Sequence, residues 1–123
     1  MKKILIIEDD VDTLDMLEMI LRDSGYAIIK ANRRVSVDEI ISITPDLAIL
    51  DVMLPYGPGN ELCLAIKSNP RSKNIPVILY SASSNLKKLA KDSLADKYLE
   101  KPFDINNLLE MVKETISEFE NSH

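Results

Sequence analysis

Five short stretches at 4–7, 26–31, 47–50, 76–80 and 98–99 are almost continuously apolar, and this constrains the chain more than anything else in its sequence. A strand with one wet face alternates apolar and polar residues. A run that is apolar at every position is covered on both faces, as in a parallel sheet held between layers of helices. The intervening segments carry the helical period. Leu14, Leu17, Ile20 and Leu21 follow a cap at Asp10 or Asp12 and stop at Gly25, and Val37, Ile40 and Ile41 precede Pro45. A third helix runs from near Gly59 through Leu62, Ala65 and Ile66 to Pro70. A fourth carries Leu86, Leu89, Ala90 and Leu94, with Lys87, Lys88 and Lys91 on its remaining faces. The last keeps Ile105, Leu108, Leu109, Val112, Ile116 and Phe119 in register after a cap at Asp104. Five βα units with short connections imply right-handed crossovers and an α/β fold, a three-layer, doubly wound, five-stranded parallel sheet.

A chain of 123 residues is long enough to bury one self-sufficient core, and residues 1–123 are expected to form a single domain with no attached output module. With 15 Lys and Arg scattered among 20 Asp and Glu, the net charge of -5 argues against nucleic acid as a partner. The lone cysteine, Cys63, has no partner for a disulfide or a zinc site, so a reducing, cytoplasmic setting is expected. The apolar run after Met1-Lys2-Lys3 stops at Glu8, too early for a secretory leader, and no run reaches the roughly 18 residues of a membrane span. The one histidine, His123, sits in a terminus expected to fray, so histidine chemistry must come from elsewhere.

In an open parallel sheet, ligands bind beyond the carboxyl ends of the strands. Glu8, Asp9 and Asp10 follow the first run, Asp51 ends the third, Ser81 the fourth, and Lys101-Pro102 follows the fifth. If the first and third strands are neighbours, Glu8, Asp9 and Asp51 converge, and their mutual repulsion calls for a cation. Oxygen ligands without a nearby His or Cys point to Mg²⁺, for which Mn²⁺ can substitute. A carboxylate beside such an ion can act as a nucleophile toward phosphorus, and Asp51 is the best candidate. Lys101 would supply a positive charge to the phosphoryl oxygens, and Ser81 a hydroxyl donor.

These residues resemble the receiver domains of two-component response regulators over essentially the whole chain. The segment 4–10 resembles the family's first strand and acidic pair, and 46–55 with Gly59 its phosphoacceptor strand and loop. The segment 75–82 resembles the strand with the switch hydroxyl, and 95–103 the strand with the switch aromatic and the lysine. The resemblance implies a flavodoxin-like sheet of order 2-1-3-4-5. It also implies that Asp51 accepts a phosphoryl group from the phosphohistidine of a sensor histidine kinase or histidine phosphotransfer protein. The metal would be held by Asp9 directly, by Glu8 mostly through water, by Asp51 and by the Met53 carbonyl. Ser81 would contact the phosphoryl group, Lys101 would hold it, and Tyr98 would rotate to follow Ser81. That motion would reshape the surface of the fourth helix, fifth strand and fifth helix toward a downstream protein target. Such a domain catalyses its own phosphorylation and slow dephosphorylation without being a conventional turnover enzyme. The resemblance further implies a cis Lys101-Pro102 bond, and leaves dimerisation open.

The spacing of 20 positions from Ser81 to Lys101 is short for the family, and Leu94 stands where a glycine usually closes the fourth helix, so a truncated or tilted fourth helix is expected. The main rival is a phosphorylation-independent pseudo-receiver that binds proteins. A flavin carrier is a poor fit, because the first turn is acidic where a flavin phosphate needs amides. An aspartyl-phosphate phosphatase is another, because its substrate would have no large cap to enclose it. Met53 and Ser83 flank the phosphoryl position, and the bulky, apolar Met53 is expected to hinder the hydrolytic water. A Met53→Asn variant should therefore lose its phosphoryl group faster than wild type, measured as decay of the phosphorylated mass.

Overall fold

The computed structural model describes residues 1–122, and the expectation for His123 lies outside the described residues. The apolar runs form strands β1 (Lys3–Ile7), β2 (Ala27–Ala31), β3 (Leu47–Asp51), β4 (Val77–Ser81) and β5 (Lys97–Glu100). The helices between and after them are α1 (Val11–Asp23), α2 (Val37–Ile43), α3 (Gly59–Ser68), α4 (Leu86–Asp92) and α5 (Ile105–Ser122). All pairings are parallel, and the order is β2-β1-β3-β4-β5, as the resemblance implies. Among the described residues, no helix is long and apolar enough to cross a membrane.

Alternate residues of each strand feed different layers, which is why the runs are apolar throughout. Leu5, Ile7, Ala48, Leu50, Val77 and Leu79 pack with Ile40, Cys63, Ile66, Leu86 and Ala90 on the side of α2, α3 and α4. Ile4, Ile6, Leu47, Ile49, Ile78 and Tyr80 pack with Leu14, Leu17, Leu21, Leu108, Val112 and Ile116 on the side of α1 and α5. Each fully buried aliphatic side chain contributes roughly 1.5–3 kcal/mol, so β1, β3 and β4 form a stiff base for whatever stands at their carboxyl ends. Burial pushes the Cys63 thiol up to about 11, leaving it inert at neutral pH.

Local caps fix the helix starts nearest those carboxyl ends. Asp10, not Asp12, caps α1 by accepting the Thr13 amide at 3.0 Å. Asp104 accepts the Asn106 amide at 2.7 Å ahead of α5.

The fourth helix is short, with seven residues. Leu94 does not complete its apolar stripe. It lies beyond the helix with φ of 65° and is 55% exposed. The Ala95 amide reaches the Ala90 carbonyl at 2.9 Å and the Leu94 amide reaches Lys91 at 3.2 Å, the bonding of a Schellman stop. Leucine thus adopts the left-handed conformation that favours glycine, at a cost of about 1 kcal/mol. Leu94→Gly, which removes little packing, should raise unfolding stability by about 0.5–1 kcal/mol, measured as a higher urea midpoint.

Candidate functional site

The sheet register builds the site. Ile7 pairs with Leu50, which sets Glu8 beside Asp51, and Asp51 itself pairs with Tyr80. Glu8, Asp51 and Tyr80 therefore form one row across adjacent strands, with side chains on a shared face. Tyr80 also pairs with Leu99, and two residues later Lys101 leans in from the end of β5, its amide donating to the Ser81 carbonyl at 2.9 Å. The Lys101 Nζ lies 3.3 Å from Glu8 Oε1 and 3.3 Å from Asp51 Oδ2. The Tyr80 hydroxyl donates to Glu8 Oε1 at 2.6 Å, and the Asp10 amide donates to Glu8 Oε2 at 3.2 Å. Asp51 Oδ1 accepts the Met53 amide at 3.0 Å.

Both carboxylates are buried, and their environments push them apart. Burial alone would raise the pKa of Glu8. The Tyr80 hydroxyl, the contact with Asp51, the Asp10 amide and Lys101 outweigh it and hold Glu8 below its ordinary value. Asp51 goes the other way. Burial first and the neighbouring Glu8 next raise it, against the Met53 amide and Lys101. Burial and the acidic neighbours also push the Tyr80 hydroxyl up, so it stays protonated and donates. Glu8 is thus the easier of the two to ionise, while Asp51 ionises at a cost that a second cation would relieve.

Among the described residues, no three His, Cys, Asp or Glu side chains stand together as a ready metal cage. Glu8 and Asp51 do come together, while Asp9 is exposed at the rim. A pair of carboxylates still fits Mg²⁺, which needs one or two such groups and completes its shell with water and a carbonyl.

The remaining candidates are placed as follows. Ser81 is fully buried, and its Oγ accepts the Ser83 amide at 3.1 Å. Met53 is 68% exposed on the loop after β3, and Tyr98 stands 36% exposed on β5. Lys101-Pro102 is cis, as the resemblance implies. Gly59 is required by close approach, since a Cβ there would lie 1.9 Å from the Asp51 carbonyl oxygen. The sequence pattern places Tyr80 in the apolar run 76–80 without its polar contacts. The available signal was a lone hydroxyl-bearing ring in an aliphatic strand, one residue before Ser81.

The raised acid has a measurable consequence. A group whose folded pKa is raised lends stability when protonated and loses it as pH rises through the folded value. Asp51→Asn keeps the acceptor for the Met53 amide and escapes that loss. In chelator-containing buffer its urea midpoint should exceed that of wild type near about pH 7, with the gap narrowing toward about pH 4.

Comparison with known proteins agrees with this geometry. Residues 4–113 match the model of the response regulator receiver domain. The chain is 34% identical over 116 residues to the DNA-binding dual master transcriptional regulator RpaA of Synechocystis sp., covering 92% of this chain and 48% of that one. It spans about half the length of RpaA and the other curated regulators it matches. A CheY-like receiver domain protein from Methanospirillum hungatei superposes with a TM-score of 0.85 at 28% identity, over 100% of this chain and 99% of that one. A response regulator structure from Chloroflexus aurantiacus gives 0.83 at 31% identity, over 94% and 98%. With the matched model spanning most of the sequence and the acidic row, hydroxyl and lysine at the expected strand ends, the chain belongs to the response regulator receiver family of two-component signalling.

Proposed function

We propose that this receiver takes a phosphoryl group onto Asp51 from the phosphohistidine of a sensor histidine kinase or histidine phosphotransfer protein, and signals through its α4, β5 and α5 surface. The observation that carries this reading is the placement of Lys101 Nζ at 3.3 Å from both Asp51 and Glu8, with Asp51 ending a buried strand. In the transfer, an Asp51 carboxylate oxygen forms a bond to phosphorus as the phosphorus–nitrogen bond of the donor breaks, its electron pair passing to the imidazole. The Met53 amide holds Asp51 Oδ1 and orients the carboxylate. Lys101 turns from the carboxylates to the phosphoryl oxygens, where its charge counters the negative charge of the transition state. The Ser81 hydroxyl, now turned to the Ser83 amide, is the neutral donor for the same oxygens.

Mg²⁺, held by Asp51, Asp9, the Met53 carbonyl and, through water, Glu8, would supply the charge that allows two ionised carboxylates and a phosphoryl group to meet. As Ser81 moves toward the phosphoryl group, the exposed Tyr98 ring follows inward and alters the face offered to a protein partner. This output is protein contact made by the receiver unit itself, and its net charge of -5 suits that role better than a phosphate backbone. The cytoplasm, where kinases present phosphohistidine, is the compartment that the reading requires.

Intact-mass measurement after incubation with acetyl phosphate tests the chemistry. Wild type should gain one phosphoryl group only with Mg²⁺, and Asp51→Asn none. Lys101→Ala should be phosphorylated about a hundredfold more slowly. A folded wild type that gains nothing with Mg²⁺ present would move the weight to a phosphorylation-independent binding module.

A further inference from the structure

Tyr80 touches both charges that flank Asp51. Its ring is 1% exposed, and its hydroxyl lies 2.6 Å from Glu8 Oε1. Lys101 Nζ stands 4.4 Å from the ring centroid, over the aromatic face. The ring is held in turn by Phe103, edge to face at 6.3 Å and 85°. An aliphatic side chain would serve the same apolar cluster while offering neither contact. Glu8 Oε2 is already taken by the Asp10 amide, so the Tyr80 hydroxyl completes the set of donors that fixes this carboxylate's plane.

We propose that Tyr80 is a positioning residue of the acceptor site, its hydroxyl fixing the Glu8 carboxylate for the cation and its ring supporting Lys101 between Glu8 and Asp51. The inference rests on Asp51 being the phosphoryl acceptor. The two halves of the side chain do separable work. Outer partners of metal-binding groups are worth about 10- to 100-fold in metal affinity, and a carboxylate that meets the cation through water belongs at the low end of that range. The ring acts on a different group, the lysine that contacts the phosphoryl oxygens, and so bears on rate.

The test uses the full chain as wild type, Tyr80→Phe, Tyr80→Leu and Asp51→Asn. Binding of Mg²⁺ alone is measured by calorimetry, and the rate of adduct formation from acetyl phosphate is measured separately at saturating Mg²⁺. Tyr80→Phe keeps the ring, so it should bind Mg²⁺ about tenfold more weakly while its saturated rate stays within about twofold of wild type. Tyr80→Leu should lose a further factor of about ten in saturated rate. A purely structural role would not produce this split. Wild-type Mg²⁺ affinity in Tyr80→Phe, or a saturated rate as low as that of Tyr80→Leu, overturns the proposal. If Tyr80→Leu fails to fold by circular dichroism, the split in Tyr80→Phe decides alone. The acceptor reading is judged apart from this, because it fails if wild type forms no adduct, and calorimetry then still decides whether Tyr80 fixes Glu8.

Discussion

Lys101, lodged between two buried carboxylates, is the interaction on which the rest of the site depends. Placing Glu8 and Asp51 side by side at the end of a dry sheet is unfavourable, since each loses hydration and each repels the other. One ammonium at 3.3 Å from both offsets part of this, and the Asp10 and Met53 amides and the Tyr80 hydroxyl offset more. The group is left with more negative than positive charge, an imbalance that favours a cation. On the proposed reading, a bound cation would let the same place tolerate an incoming phosphoryl dianion. Acceptance of charge is therefore prepared before any ligand arrives, in the manner of preorganised electrostatic sites.

The sheet sets the spacing. Neighbouring strands are about 4.8 Å apart, so residues in one row across β1, β3 and β4 cannot drift without breaking ladders of backbone hydrogen bonds. Gly59 brings the following helix against the Asp51 carbonyl, where any side chain would collide with the backbone. The β3 carboxyl end is thereby held from the sheet on one side and from α3 on the other. The stability cost of the buried charges is carried by the apolar layers beneath.

Much of this was legible in the sequence because it is written in local pattern. Continuous apolar runs announced strands covered on both faces, and Asp51, Ser81 and Lys101 each stand at or just past a strand end, where a parallel sheet presents its chemistry. Side-chain direction was harder to read. That Glu8 turns inward and is buried while Asp9 stands exposed depends on the phase of the strand as it meets the α1 cap at Asp10. Tyr80 belongs to the apolar run 76–80 because it is core, and its second role needs the register that sets it beside Asp51. Leu94 fits both the last turn of an apolar stripe and the place where the family sets a closing glycine, and the Schellman hydrogen bonds decide for the second.

The left-handed Leu94 also bears on how the molecule opens. It ends a seven-residue helix whose N-cap, Asn85, makes no side-chain capping bond, next to a strand, β5, that is half-exposed at alternate positions. Local unfolding of this corner releases backbone strain and uncovers only Leu86 and Ala90 of the buried core, far fewer apolar side chains than β1, β3 or β4 would expose, so it lies toward the low end of the range of opening free energies. Amide hydrogens of α4 would thus exchange with solvent well before those of β1, β3 and β4. The corner that would face a partner can rearrange on its own, while the carboxylate row keeps its place.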